Sequence, residues 1–233
     1  MKNSKSILAG MSAALVLSFA GPATAAPVRD WPQWLAHYYQ APQVDQVVPA
    51  VFALSRSGYF EQVGQPATAI GFLSAVFAQN PDKVDGWMAD FRDLPVVHQR
   101  LVASALWYSG LPGNERALRV LARSSTPELR AEIEQLLSQG SAPVAATPVR
   151  SESSLNLQWG AFLATGDQQH IVNALAALGS GEPGLSRAAR LALAEKAAAH
   201  PRVYAICQAE LARQPAGVRD QMRAALAEMK TQP

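Results

Sequence analysis

The feature that most constrains this chain is a helical apolar rhythm, cut repeatedly by proline and glycine, in the stretch from Pro66 to Gly110. Pro66 opens a run in which Ile70, Leu73 and Phe77 share one face and Ala69, Phe72 and Val76 lie beside it. Spacings of three and four put side chains on one side of an α-helix, and so broad an apolar face predicts burial on two sides. Asn80-Pro81-Asp82 breaks the run, and Val84, Trp87, Met88 and Phe91 then mark the inward face of a second helix. After Leu94-Pro95 a third helix runs to Ser109, with Val97, Leu101, Ala105 and Tyr108 expected inside and Gly110 as its stop. Proline is tolerated in a first helical turn, whose amides have no intrahelical partner, and it interrupts a helix elsewhere.

The same grammar runs along the rest of the chain. Asp30 is placed to cap a helix that aligns Trp31, Trp34, Leu35 and Tyr38, and Asp45 to cap one that aligns Val47, Val48, Val51, Phe52 and Ser55 before Gly58. Short helices follow around Ala117, Leu118 and Leu121, and after Thr126-Pro127-Glu128, with Leu129, Ile133, Leu136 and Leu137 inward. Residues 140–153 lack periodicity and read as a linker. Beyond it, Leu155, Trp159 and Phe162 mark a helix stopped near Gly166. Asp167 caps the next, which holds Ile171, Leu175 and Leu178. An alanine-rich helix spans 185–199, and two more lie around Val203 to Leu211 and Val218 to Met229. The expectation is an all-α protein of about a dozen helices, an α-solenoid-like or two-lobed array of short helical hairpins. Its lobes would be residues 26–139 and 154–233.

The two lobes share a weak correspondence. Phe77 precedes Asp82 by five residues as Phe162 precedes Asp167, an offset of 85, and Ala105-Leu106 can face Ala192-Leu193 at an offset of 87. No strict period of 34 or 40 residues accompanies it.

Residues 1–25 read as a secretory signal peptide. Lys2 and Lys5 precede an apolar run from Ile7 to Ala20, and Ala23-Thr24-Ala25 supplies a small-x-small cleavage site. The run is shorter than the roughly 20 residues of a membrane-spanning helix, and no cysteine stands near the cleavage site for a lipid anchor. An exported, periplasmic protein without a transmembrane segment is expected. Removing this leader takes two of the 20 basic residues and none of the 18 acidic ones, so the mature chain is formally neutral. Nucleic-acid binding needs an excess of positive charge that is absent here. Cys207, the one cysteine, cannot close an internal disulfide and falls on an apolar helix face, as a buried, inert thiol would.

Reactive constellations are sparse. His37, His98, His170 and His200 are scattered, with no His-Glu-x-x-His pattern, and each is expected at a helix surface or end. Asp82, Asp85, Asp90 and Asp93 start and flank one helix as a solvated face, without the ligand spacing of a calcium loop. No Gly-x-Ser-x-Gly elbow exists. No catalytic, cofactor-binding or metal-binding residue is assigned. Aromatic residues are concentrated before Gly140, and Trp31, Trp34, Tyr38 and Tyr39 crowd the first helix. They suggest either a larger core in the first lobe or an aromatic patch that receives a partner.

Three strings, Phe72-Leu-Ser-Ala-Val-Phe77 with Asn80-Pro81-Asp82 and Trp87, Ala105-Leu-Trp-Tyr-Ser-Gly110, and Trp159-Gly-Ala-Phe-Leu-Ala-Thr-Gly166-Asp167, resemble a group of exported or envelope-associated all-helical proteins of Gram-negative bacteria. The resemblance implies fold and location and brings no functional residue with it. The function expected is a non-enzymatic interaction or scaffold role in the cell envelope, with another envelope protein as partner and an exposed aromatic patch as its signature. The alternative is a periplasmic binder of a small apolar ligand or cell-wall fragment, which needs a pocket between the lobes. An enzyme would need a site assembled from distant helices.

Overall fold

The computed structural model describes residues 30–229 apart from Ser124, so the leader expected at residues 1–25 lies outside the described residues. Within them are twelve α-helices and no strand. They are α1 (Trp31–His37), α2 (Val47–Arg56), α3 (Gln65–Gln79), α4 (Val84–Asp90), α5 (Val96–Tyr108), α6 (Asn114–Arg123), α7 (Pro127–Gln139), α8 (Glu152–Thr165), α9 (Gln168–Leu175), α10 (Pro183–Ala199), α11 (Pro201–Glu210) and α12 (Ala216–Glu228). Short 3-10 turns join several of them. The caps at Asp30, Thr126 and Asp167 are made, each side chain accepting from a first-turn amide. Asp45 does not cap α2. It lies in a 3-10 turn, Val44–Gln46, that runs directly into the helix, leaving Gln46 at the cap position with no side-chain bond.

Two helices organise the rest. Between them α3 and α8 carry one charged residue, Glu152, at the very start of α8. Helices that are apolar all round bury all round, and these two lie against each other in the most extensive helix contact of the fold. Glycine makes the approach possible. A Cβ on Gly71 would fall against the Leu157 carbonyl, 2.8 Å from its carbon, and a Cβ on Gly160 would fall against the Thr68 carbonyl and 2.7 Å from the Phe72 nitrogen. The contact is reciprocal. Each glycine meets the residue three positions before the other, so backbone packs on backbone about a local two-fold relation.

Five helices proceed from each member of this pair in the same order. In both halves the second is short and ends in a 3-10 turn, Phe91–Asp93 after α4 and Ala176–Gly179 after α9. The packing partners also correspond: α4 with α6 and α9 with α11, α5 with α6 and α10 with α11, α5 with α7 and α10 with α12. Buried positions recur in register. Val84, Trp87, Met88 and Phe91 match Ile171, Ala174, Leu175 and Leu178 at a spacing of 87, and Leu129 and Ile133 match Val218 and Met222 at 89. In α3 and α8 the glycines set the spacing at 89, so Phe162 matches Leu73, not Phe77 as the 85-residue offset suggests. The N-terminal α1 and α2 have no counterpart in the second half.

The inward face of α5 is rotated from its expected position. Val97 is 55% exposed, Tyr108 is half-buried, and His98, Gln99 and Val102 turn inward with Leu101 and Ala105. Gln99 is accepted there because its amide donates to the carbonyls of Arg92 and Leu94 at 3.0 and 2.8 Å, and a buried polar group costs little once bonded.

The aromatic crowd of α1 is partly packed into the fold. Trp31, Trp34, Tyr38 and Phe72 stack edge to face in sequence, with ring centroids 5.6, 5.1 and 5.1 Å apart. Tyr38 is buried and the two tryptophans are half-buried. Tyr39, in the 3-10 turn that follows α1, packs its ring on Phe162 of α8 and on His200 before α11. The first segment of the fold thus lies on both halves.

His200 makes this junction sensitive to acid. It is 2% exposed, with the His37 ring tilted against it at 5.2 Å. Burial foremost, then the charges of His37 and Lys196, lowers its pKa from 6.5 to about 4, against a smaller raising effect from Glu195. The folded state therefore resists the proton that the unfolded chain accepts near pH 6.5. His200 favours folding fully above that pH, and its contribution falls away down to about pH 4, a total on the order of 3 kcal/mol. Urea unfolding at pH 7, 5.5 and 4 should record this loss, and His200→Phe should flatten the curve across that window. An unchanged slope in the variant would assign the acid sensitivity elsewhere.

Candidate functional site

The histidines expected at helix surfaces or ends are largely internal, although His200 does stand at an end, between α10 and α11. His98, His170 and His200 are all buried, and each has partners far along the chain. Two of them build polar arrangements that need a chemical reading.

His98 of α5 receives α2 and the loop after it. Its Nε2 lies 2.8 Å from Glu61 Oε1 and its Nδ1 lies 2.7 Å from Ser55 Oγ. A carboxylate only accepts, so Nε2 carries the proton and Nδ1 takes the Ser55 hydroxyl. Serine, imidazole and carboxylate are thus in hydrogen-bonded series, the order used to activate a nucleophile. The order of exposure is the reverse of what a substrate requires. Ser55 and His98 are buried, and the end that reaches solvent is Glu61, whose side chain is 55% exposed. The cavity described below does not border Ser55. The series ties α2, the Tyr59–Glu61 turn and α5 together.

The second arrangement adjoins a cavity. Where α3, the end of α5, the segment 143–145, α8 and α9 meet, they leave a surface cavity of about 150 Å³. Its floor comes from small residues next to the glycine crossing, Ser74 and Ala75 of α3 and Ala161 of α8. The wall hydroxyls are turned away: Ser74 donates to Gly71 O, Ser109 to Leu106 O and Thr165 to Ala161 O, at 2.7, 2.6 and 2.9 Å. Serine and threonine in helices commonly bond back into their own helix. The cavity is therefore walled mainly by carbon, with Gln79 at its exposed side and Tyr108 and His170 contributing polar groups.

Gln158 fixes this site from behind. It is fully buried in α8. Its amide nitrogen donates to the carbonyls of Val144 and Thr147 at 2.8 and 3.0 Å, which seats the segment 143–147 on the helix. Its Oε1 faces His170 Nδ1 at 2.8 Å and Asn173 Nδ2 at 3.3 Å. Asn173 also donates to Ala145 O at 2.9 Å. The stretch expected as an aperiodic linker is thus held as one wall of the cavity, with Val144 buried.

Other groups are chemically quiet. Burial, and behind it the charge of Glu210, pushes the Cys207 thiol up to about 12, so it stays protonated. Asp82, Asp85, Asp90 and Asp93 are exposed, and Asp85 faces Arg116 at 3.2 Å. Among the described residues no group of three or more histidine, cysteine, aspartate or glutamate side chains is placed to hold a metal ion, and no helix is long and apolar enough to cross a membrane.

Reading the sequence alone overlooks Gln158 and His170. The available signal was Gln158 itself, an amide set among Leu155, Leu157 and Trp159 in a helix with no polar face. Comparison with protein-family models, curated proteins and solved structures gave no match.

Proposed function

We propose that this is an exported, non-catalytic binding protein that holds a small apolar molecule between its two helical halves. The observation that carries the reading is the cavity of about 150 Å³ at the one junction shared by α3, α5, α8, α9 and the connecting segment. Ligand sites favour such junctions, and a cavity of about this volume lined by apolar groups takes a benzene-sized guest. The occupant is accordingly a single ring or a short branched chain. Export rests on the basic and apolar pattern of residues 1–25. We further propose that the halves are two copies of one five-helix unit. Their common helix order, recurrent burial and reciprocal glycine contact support this, and they place the cavity beside the internal two-fold relation.

Toluene serves as the first probe. At ten times its Kd it should stabilise the full chain by about 1.4 kcal/mol, a rise of roughly 3–6 °C in Tm. Ala78 is exposed at the cavity wall, so Ala78→Phe fills the mouth without disturbing the core and should abolish the rise. An equal rise in the variant would move the site elsewhere, and no rise at saturation would end this reading.

The interaction or scaffold reading keeps one point in its favour, the half-buried Trp31 and Trp34 at the N-terminal end of the fold. It is placed second because the large exposed apolar side chains, Val63, Val97 and Leu191, come from a turn, α5 and α10, and none belongs to the aromatic segment of α1.

A further inference from the structure

We infer that the cavity selects, among small apolar molecules, those that carry one hydrogen-bond donor, such as a phenol or a small alcohol, and that His170 Nε2 accepts this donor. The inference rests on the binding reading above and specifies the chemistry of the same site.

The protonation pattern follows from the partners. Val144 and Thr147 offer carbonyls, so the Gln158 group facing them at 2.8 and 3.0 Å must be its NH2. Its other atom is then a carbonyl oxygen, and the nitrogen facing it, His170 Nδ1, must donate. In the neutral ring the lone pair is left on Nε2, which has no hydrogen-bond partner among the described residues. His170 lines the cavity and is 7% exposed. Burial lowers its pKa against a weaker opposing pull from Asp167, which keeps the ring neutral and Nε2 an acceptor at neutral pH. Ser74, Ser109 and Thr165 spend their protons on their own helices, and Ser109 and Thr165 already accept from Leu111 N–H and Asp167 N–H, so none of the three has a proton left to satisfy Nε2 in a guest's place. A guest without a donor strips water from Nε2 and returns nothing. A guest with one O–H or N–H satisfies it, and sites built for such a bond discriminate against the analogue that lacks it. A carboxylate is excluded, because it would bring charge into an apolar cavity with no cation to receive it.

Calorimetric titration of the full chain with phenol and with toluene tests this. Transfer from water alone favours toluene, because phenol must shed water from its hydroxyl. The wild-type protein should nevertheless rank phenol above toluene. His170→Asn keeps a donor for Gln158 in place of Nδ1–H but lacks Nε2, and should shift the phenol-to-toluene preference by about tenfold toward toluene. In nitrogen NMR of the wild-type protein, phenol should move the His170 Nε2 resonance and toluene should leave it in place, a readout that does not depend on the variant's folding. Toluene ranked above phenol in wild type, or a preference unchanged in His170→Asn, overturns the inference while leaving a binding cavity. Failure of both ligands to bind overturns the inference together with the reading beneath it.

Discussion

Gly71→Ala is expected to cost more than about 4 kcal/mol, a large share of the roughly 5–15 kcal/mol that holds an ordinary domain folded. Propensity argues the other way, since alanine in place of a mid-helix glycine normally stabilises by about 0.5–1 kcal/mol. Position decides the sign. The new methyl would meet the Leu157 carbonyl, with its carbon 2.8 Å and the Cα 2.9 Å away. These are backbone atoms in a hydrogen-bonded helix and cannot rotate aside as a side chain would. Relief requires α3 and α8 to move apart, which opens the packing of Phe72, Leu73, Ala161 and Phe162 along both helices. Gly160→Ala should be equally damaging, because its methyl would meet the Thr68 and Phe72 backbone. Gly86→Ala in α4 is the control, with nothing within 4 Å of the added atom, and it should stabilise slightly. Urea unfolding of the three variants separates these outcomes. A Gly71→Ala protein as stable as the Gly86→Ala protein would mean that the two helices do not approach as described.

Gln158→Leu is the second large effect, expected at about 3–5 kcal/mol. Leucine matches the apolar surroundings of α8 but leaves the polar groups around it without their partner. The Val144 carbonyl loses one of its two donors, the Thr147 carbonyl loses its donor, and His170 Nδ1–H loses its acceptor. An unmade hydrogen bond costs more inside a protein than a made one contributes. The damage should also be directional. The amides of Ala146 and Thr147, bonded to Pro143 O and Val144 O, should exchange with deuterium much faster in the variant, while those of α12 keep most of their protection relative to one another. A variant within 1 kcal/mol of wild type, with unchanged exchange at 144–147, would remove Gln158 from its place as the anchor of that segment.

The helices and most of their inward faces were legible because the apolar spacing is local information. Asp30, Thr126 and Asp167 were legible as caps for the same reason. Asp45 failed because a 3-10 turn runs into α2 and removes the non-helical residue a cap requires. Val97 failed for a different reason. Hydrophobicity ranks it above His98 and Gln99, but these two find hydrogen-bond partners inside, Glu61 and Ser55 for one and the Arg92 and Leu94 carbonyls for the other. The partners of His98 come from outside any helical window, and those of Gln99 are backbone groups at the preceding break, which no apolar count registers. The same distance hid the candidate site. His170 reads as a surface residue until Gln158 is beside it, and the cavity exists only once α3, α5, α8 and α9 converge. Gly71 and Gly160 were visible as glycines inside helices, a signal of close approach, but nothing local paired them.

The most direct measurement is an anomalous-difference map from crystals of the protein exposed to iodobenzene. The expected result is an iodine peak in the cavity bordered by Ala75, Tyr108, Val144, Ala161 and His170, absent from crystals of the Ala78→Phe variant. Iodine found only at other sites, or a cavity left without a peak while the compound still raises Tm, would contradict binding between the two halves.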